Sequence, residues 1–289
     1  MFLKFFGEGK MISITSVSGG KTSAYLAANY PTDYYLFALV RTSDKQCLFP
    51  DPVLRKRVEE RIEKPFTGTL EDDNIIYTIF DLEQFMGKKI DWVTGITFDE
   101  VLRTKGGWLP NKLHRYCTTH MKIEPMFYWW AEHIGEPVQM NIGYRANEGN
   151  RTKRMNERLN SNGLLEMKAT FGKHKNGKNK WEIIEWQKPD YPLATDGVNR
   201  DKIEHFWNDK DVRFADRNNC VGCFHRNPLI LKKMFEIHPQ KMDWFERQEG
   251  DIKKFWRSDM PYRKIRESDL QIELSLDEFT DCDYGYCGL

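Results

Sequence analysis

No apolar run in the 289 residues approaches the ~20 that a helix needs to cross a membrane. The start, Met1 to Glu8, carries no apolar region long enough for a signal peptide. An excess of one charge is missing too: 44 Lys and Arg face 43 Asp and Glu, leaving a net +1. That balance removes any global attraction to nucleic acid or anionic lipid and leaves such binding to local patches. Cysteine is sparse. Six are too few for a disulfide scaffold, so they are expected as free thiols or ligands. Together these absences lead to the expectation of a soluble, cytoplasmic protein with no membrane partner. What is abundant is aromatic surface, with nine Trp in a chain of mean hydropathy -0.68, enough to line a pocket or interface as well as a core. The length suits one large domain or one domain plus an appendage.

The most informative stretch is Ser13-Ile14-Thr15-Ser16-Val17 followed by Ser18-Gly19-Gly20-Lys21-Thr22-Ser23 and an Ala/Leu-rich run. It reads as strand, tight loop and helix. Two glycines let a backbone approach a ligand, and the first helical amides, the helix dipole and Lys21 all favour an anion there. Gly20-Lys21-Thr22 also ends a Walker A motif, but the first glycine of that motif would fall on Thr15, inside the strand. The Walker reading is a minor alternative. Its acidic strand would be Ile75 to Phe80 with Asp81, a run that also fits an ordinary buried strand.

Further along, Tyr34 to Val40 reads as a buried strand, with Arg41 and Asp44 at its carboxyl end as candidate nucleotide contacts. Residues 51–64 read as a solvated helix. Arg115-Tyr116-Cys117-Thr118 to Lys122 is a loop entering a helix over 123–133. Cys117 there, flanked by Arg115, His120 and Lys122, should have its thiolate favoured by dipole and cations, as a nucleophile or metal ligand would require; a buried inert thiol is the bland alternative. Val138 to Gly143 reads as another core strand, leading to Arg145 and Glu148. Arg145 suits bidentate contact to phosphate or sulfate, with Glu148 orienting it or holding a ribose. Asn176-Gly177 marks a hairpin within 165–191 whose basic tip could touch a nucleic-acid backbone. Helices are expected near Arg200 to Trp207, Pro228 to Ile237 and Met242 to Gln248.

Cys220-Val221-Gly222-Cys223 is a C-x-x-C, a small loop that lets both sulfurs face one metal centre. A thioredoxin-like redox pair is the other reading. Cys282 and Cys287 lie in the last eight residues.

Ser18 to Ser23 resembles the S-G-G-x-D-S signature of the PP-loop ATP pyrophosphatases and sulfonucleotide reductases, with Thr22 in place of the usual Asp. Arg115, Cys117, Thr118 and Lys122 resemble an R-x-C-T-x-x-x-K element of the phosphoadenosine-phosphosulfate-reductase-like family, many members of which belong to phages and mobile elements. Gly143, Arg145 and Glu148 resemble its G-x-R-x-x-E element, and the C-x-x-C with the amphipathic helix after it resembles its C-terminal region. The likeness covers roughly residues 11 to 265 on four motifs.

What the resemblance implies is an α/β fold, a Rossmann-like doubly wound and mostly parallel sheet of PP-loop type, over residues 1–190 with a hairpin insertion near 165–187. Residues 191–289 would form a C-terminal helical, cysteine-bearing region. The implied activity is adenine-nucleotide-dependent sulfur chemistry: adenylation of a substrate and sulfur delivery, with Lys21, Cys117 and Cys287 as catalytic candidates. The nucleotide, ATP or phosphoadenosine phosphosulfate with Mg²⁺, would be held by Ser18, Gly19, Gly20, Lys21, Thr22, Ser23, Arg115, Lys122, Gly143, Arg145 and Glu148. A [4Fe-4S] cluster, with zinc as the alternative, would use Cys117, Cys220, Cys223 and Cys287, with His120 or His225 as substitutes. A nucleic acid or another molecule would accept the sulfur. Two rivals remain: sulfonucleotide reduction by Cys287, whose Cys287-Gly288-Leu289 looks like the core of the reductases' C-terminal motif, and a non-catalytic nucleotide-binding or phage assembly protein.

Overall fold

The computed structural model describes residues 10–250 and 254–269. The tail thiols Cys282 and Cys287, like residues 1–9, lie outside the described residues. In chain order, β1 (Ser13–Val17), α1 (Lys21–Asn29), β2 (Tyr34–Ala38), α2 (Pro52–Ile62), α3 (Asn74–Met86), β3 (Asp91–Val93) and α4 (Phe98–Thr104) come first. Then α5 (Tyr116–Thr118), a π-helical turn over Thr119–Ile123 and α6 (Glu124–His133) run on as one helical stretch. β4 (Val138–Asn141) and α7 (Gly149–Asn156) precede the hairpin of β5 (Leu165–Lys173) and β6 (Asn179–Asp190). α8 (Pro192–Thr195), α9 (Arg200–Trp207), α10 (Pro228–Ile237), α11 (Pro239–Gln248) and α12 (Tyr262–Glu267) follow.

The strands form one sheet in the order β3-β2-β1-β4-β6-β5, parallel throughout except for β5, which is antiparallel to β6. β1 is the pivot. From it the chain winds outward through β2 and β3 on one side and resumes at β4 on the other, so the crevice beyond the carboxyl ends of β1 and β4 is a topological switch point. Both faces are covered, as a parallel sheet requires. Val17, Tyr35 and Phe37 pack on one face with residues of α1, α2, α3 and α9, while Ile14, Leu36 and Ala38 alternate onto the other against Met126, Phe127 and Trp130 of α6. A third cluster joins Val40, Phe98 and Met121 to Val221, Phe224, Trp244, Phe245, Trp256 and Tyr262. Among the described residues no helix is long and apolar enough to cross a membrane.

One expected strand is a helix. Ile75 to Phe80 belongs to α3, whose buried Ile75, Ile76, Ile79 and Leu82 follow the helical repeat and whose end is capped by Gly87 at φ +61°. The Walker alternative thereby loses its acidic strand. Arg41 and Asp44 also have structural duties: buried Arg41 donates to Thr94 Oγ1, Pro65 O and Gly95 O, and Asp44 caps the turn Lys45–Cys47 and pairs with Arg247 at 3.0 Å.

Candidate functional site at the switch point

The loop between β1 and α1 is closed by its own hydroxyls. Ser23 Oγ donates to Gly20 O at 3.0 Å, accepts the Ser18 amide at 3.0 Å and lies 3.0 Å from Ser18 Oγ. The first turn of α1 carries no acidic residue and no side-chain cap, so its leading amides have no acceptor within the helix. Gly19 is needed for its φ of +77°, and a Cβ there would meet Ile75 Cγ2 at 2.6 Å. Gly20 is needed for a different neighbour. A Cβ at Gly20 would lie 1.9 Å from Asn218 Nδ2, so the close approach that sequence assigns to a ligand is already used by the protein. Lys21 pairs with Glu204, lies 6.0 Å from the Phe214 ring and offers its carbonyl to Trp207 Nε1 at 3.0 Å.

Gly143, just past β4, faces this loop: its Cβ position is 3.5 Å from Thr22 Cγ2 and 3.6 Å from Ser23 Cα. The two stretches, far apart in sequence, therefore meet across the switch point. Beside them Glu148 is gripped from two sides. Its Oε2 accepts from the Arg145 amide at 2.8 Å and Nε at 3.1 Å, and its Oε1 accepts from Arg151 at 2.6 Å. Burial would raise the Glu148 carboxyl, but Arg151 and Arg145 outweigh it and hold it below the usual range. Glu148 orients Arg145 through Nε. Arg151 lies 4.3 Å from the Tyr144 ring, itself stacked on Tyr191.

Two of the cysteines expected to cooperate, Cys117 and Cys220, pack against the same hydrophobic cluster. Cys117, in the first turn of α5, and the pair Cys220 and Cys223 feel one another electrostatically. The segment carrying Cys220 is anchored to the chain before α3: Glu71 and Cys220 form a single antiparallel bridge, and the Val221 amide donates to Leu70 O at 2.9 Å. Glu71 is 1% exposed and is paired by Lys122 at 2.8 Å, while Lys241 donates to its carbonyl at 2.6 Å and to Asp73 at 2.8 Å. Lys122, expected at the nucleotide, thus serves Glu71 beside Cys220. Arg115 Nη2 lies 3.4 Å from Thr118 Oγ1.

The thiolate expectation is reversed. Burial pushes the Cys117 thiol up to about 11, with Cys223 adding to it and Arg115 opposing. Burial, and then Glu71, push Cys220 well above its ordinary value. Arg115 and the hydrogen bonds of Thr118 still favour the Cys117 thiolate, but desolvation is the larger effect.

Behind the C-x-x-C the chain supplies its own donors. Arg226, 2% exposed, donates to the carbonyls of Asn218 and Cys220, the latter at 3.2 Å. Arg257 donates to Phe224 O and Arg226 O at 3.1 and 2.6 Å, and Tyr262 Oη donates to Gly222 O at 2.9 Å. Gly222 is obligatory, because a Cβ would stand 2.4 Å from the Phe245 ring. His225 is 6% exposed with neither ring nitrogen hydrogen-bonded, and burial pushes it down to about 4. His120 is engaged by Glu124 at 2.7 Å.

Among the described residues no group of three or more His, Cys, Asp or Glu side chains is disposed to hold a metal ion. Cys287, the fourth expected thiol, lies outside the described residues. The donors described do not by themselves fit a cluster or a zinc ion. Asn218, Glu71, Arg226, Arg257 and Tyr262 carry this site without having been singled out from sequence. Only Asn218 and Arg226 had a usable signal, their adjacency to the C-x-x-C.

The two loops touch. Asn218 lies on Gly20, and Cys220 is two residues farther, a backbone span of at most about 7.6 Å. Comparison of the chain with protein-family models and with curated proteins gives no match.

Proposed function

We propose that the protein is an adenine-nucleotide-dependent enzyme of sulfur chemistry with a PP-loop type nucleotide site and a C-terminal cysteine-bearing region. The observation that carries this reading is the contact of Asn218 with Gly20, which puts the cysteine loop next to the loop and helix start best suited to phosphates. Ser18 to Ser23 would receive the phosphates of ATP, and Arg145, oriented by Glu148, would approach them from the other side of the crevice. A substrate oxygen attacks the α-phosphorus, pyrophosphate leaves, and a sulfur nucleophile then displaces AMP from the activated carbon. The chain's part is to position these groups and to offset developing charge with amides, Lys21 and Arg145. Cys117, Cys220 and Cys223 are the thiols at hand for the sulfur step. Burial raises the Cys117 and Cys220 thiols, so a bound substrate would have to replace the proton on either sulfur for it to react.

A second reading has its own support. Lys21 is paired with Glu204 and Gly20 is covered by Asn218, as suits a protein that retains a nucleotide pocket without turnover.

Calorimetric titration with ATP and with phosphoadenosine phosphosulfate tests the site. Lys21→Ala is expected to weaken the preferred nucleotide at least about tenfold, the loss of one charge-assisted hydrogen bond. Unchanged affinity sinks the phosphate-loop reading. Pyrophosphate release separates the two readings: tight binding without turnover favours the binding protein. Iron, zinc and acid-labile sulfide measured on protein purified without oxygen, with Cys117→Ala and Cys220→Ala alongside, decide whether the thiols hold a metal.

A further inference from the structure

The β5–β6 hairpin leaves the sheet. Of β6, only Gln187–Asp190 at its base pairs with β4, so residues 166–186 form a two-stranded arm. Eight residues of β6 beyond that pairing, at ~3.3 Å each, reach roughly 26 Å. Pleating gives the arm two faces. On the outer one Thr170 stands opposite Trp181 and Lys168 opposite Ile183. Trp181 is 54% exposed, with the Lys168 ammonium 5.8 Å from its ring centroid. On the other face Phe171, 60% exposed, meets Tyr128 of α6 edge-on at 5.7 Å.

Between these two rings lies the tip, Lys173-His174-Lys175-Asn176-Gly177-Lys178-Asn179-Lys180, with four Lys, one His and no acid. All of it is exposed. The turn is ordered by His174 N to Lys178 O at 2.7 Å, Gly177 N to His174 O at 2.9 Å and Lys178 N to Asn176 Oδ1 at 3.1 Å. The arm's acids are occupied: Asn160 donates to both Glu166 and Glu185 near the base, and Glu182 pairs with Lys180 at 2.6 Å. A chain of net charge +1 therefore gathers cations on one projecting turn and flanks them with solvent-facing aromatic rings.

We propose that this arm is a docking surface for single-stranded nucleic acid. Its lysines follow the backbone phosphates, and Trp181 and Phe171 receive unstacked bases on their faces. A duplex supplies the phosphates but keeps its bases stacked on one another, which leaves the exposed rings without partners. No residue of the phosphate loop or of the cysteine set takes part, so this inference and the nucleotide reading fail separately. If both hold, the acceptor of the sulfur chemistry is a nucleic acid.

The test is fluorescence anisotropy of a labelled single-stranded oligothymidylate titrated with the full chain at several salt concentrations. Three neutralised phosphates give a slope of log affinity against log salt of about -2. Replacing Lys173, Lys175 and Lys178 together with Gln is expected to flatten that slope and to lower affinity at low salt at least about tenfold. Trp181→Ala is expected to cost about tenfold with the slope unchanged, and Trp181→Phe to recover most of it. Unchanged thermal unfolding midpoints show that these exposed substitutions leave the fold intact. Failure of the wild-type chain to bind at low salt overturns the proposal, as does wild-type affinity in the triple Lys variant. So does Trp181→Ala at wild-type affinity, or tighter binding to duplex, heparin or phosphatidylserine vesicles than to the single strand.

Discussion

The loop Ser18–Ser23 is closed by hydroxyls from its own few residues, whereas the loop Asn218–Arg226 is closed by buried donors brought from elsewhere in the chain. In the first, carbonyls and hydroxyls satisfy each other and the leading amides of α1 stay available to an incoming anion. In the second, the loop's own Arg226 together with Arg257 and Tyr262 claims the backbone carbonyls, which fastens the loop into the core. The contrast separates a loop that can exchange partners from one that is part of the core. Substitutions in the first should act on binding and substitutions in the second on stability.

The sharpest break of that contrast is Arg226→Met. It keeps an apolar stem but leaves the part-buried carbonyls of Asn218 and Cys220 without this donor, at a cost of about 2 kcal/mol or more from ~1–3 kcal/mol each. Urea unfolding checks it, and an unchanged midpoint would return Asn218–Arg226 to the class of adaptable loops. Next is the clasp at Glu249, whose carboxylate accepts the amides of Trp256 at 3.3 Å and Tyr262 at 2.8 Å. Burial pushes this carboxyl up to about 7, with Glu246 adding to it against the two amides. A carboxyl raised in the folded state binds more protons than its unfolded counterpart between about 4.5 and 7. The stability it contributes is thus fully present below about 4.5 and lost as pH rises through 7, at most about 3 kcal/mol. Glu249→Gln keeps an acceptor and should flatten the pH dependence of the unfolding midpoint in that window.

Smaller effects are expected from the glycines. Gly222→Ala forces a Cβ into the Phe245 ring and should destabilise by about 1–3 kcal/mol. Gly20→Ala meets the end of one side chain and should cost less. Pairing it with Asn218→Ala should remove that cost, a non-additivity that a double-mutant cycle reads directly. Lys21→Ala comes last. It breaks a largely exposed pair with Glu204, so the unfolding free energy should move by under about 1 kcal/mol even where nucleotide affinity falls.

Sequence revealed the elements whose signals are local. The strand-loop-helix of Ser13 to Asn29, the hairpin turn at Asn176-Gly177 and α10 and α11 all stand where their residues place them. It misled at Ile75 to Phe80, where six apolar or β-branched residues imitate a strand. The helical repeat becomes visible only when the window extends through Leu82 to Met86. β3 is three residues long and gives no pattern to read. At the site, the raised proton affinity of Cys117 and Cys220 was not legible in the sequence, because it comes from burial in a core assembled from distant segments and, for Cys220, from the charge of Glu71. The contact of Asn218 with Gly20 had no signal at all, since it joins positions nearly two hundred residues apart.

Arg257 and Tyr262 have a consequence for the order in which the protein is made. The ribosome delivers Cys117, Cys220 and Cys223 before either lock, so the nascent chain passes through an interval in which the carbonyls of Gly222, Phe224 and Arg226 lack these donors. A stop codon just ahead of Arg257 would hold the chain at that stage permanently, with all three thiols present and the loop unfastened.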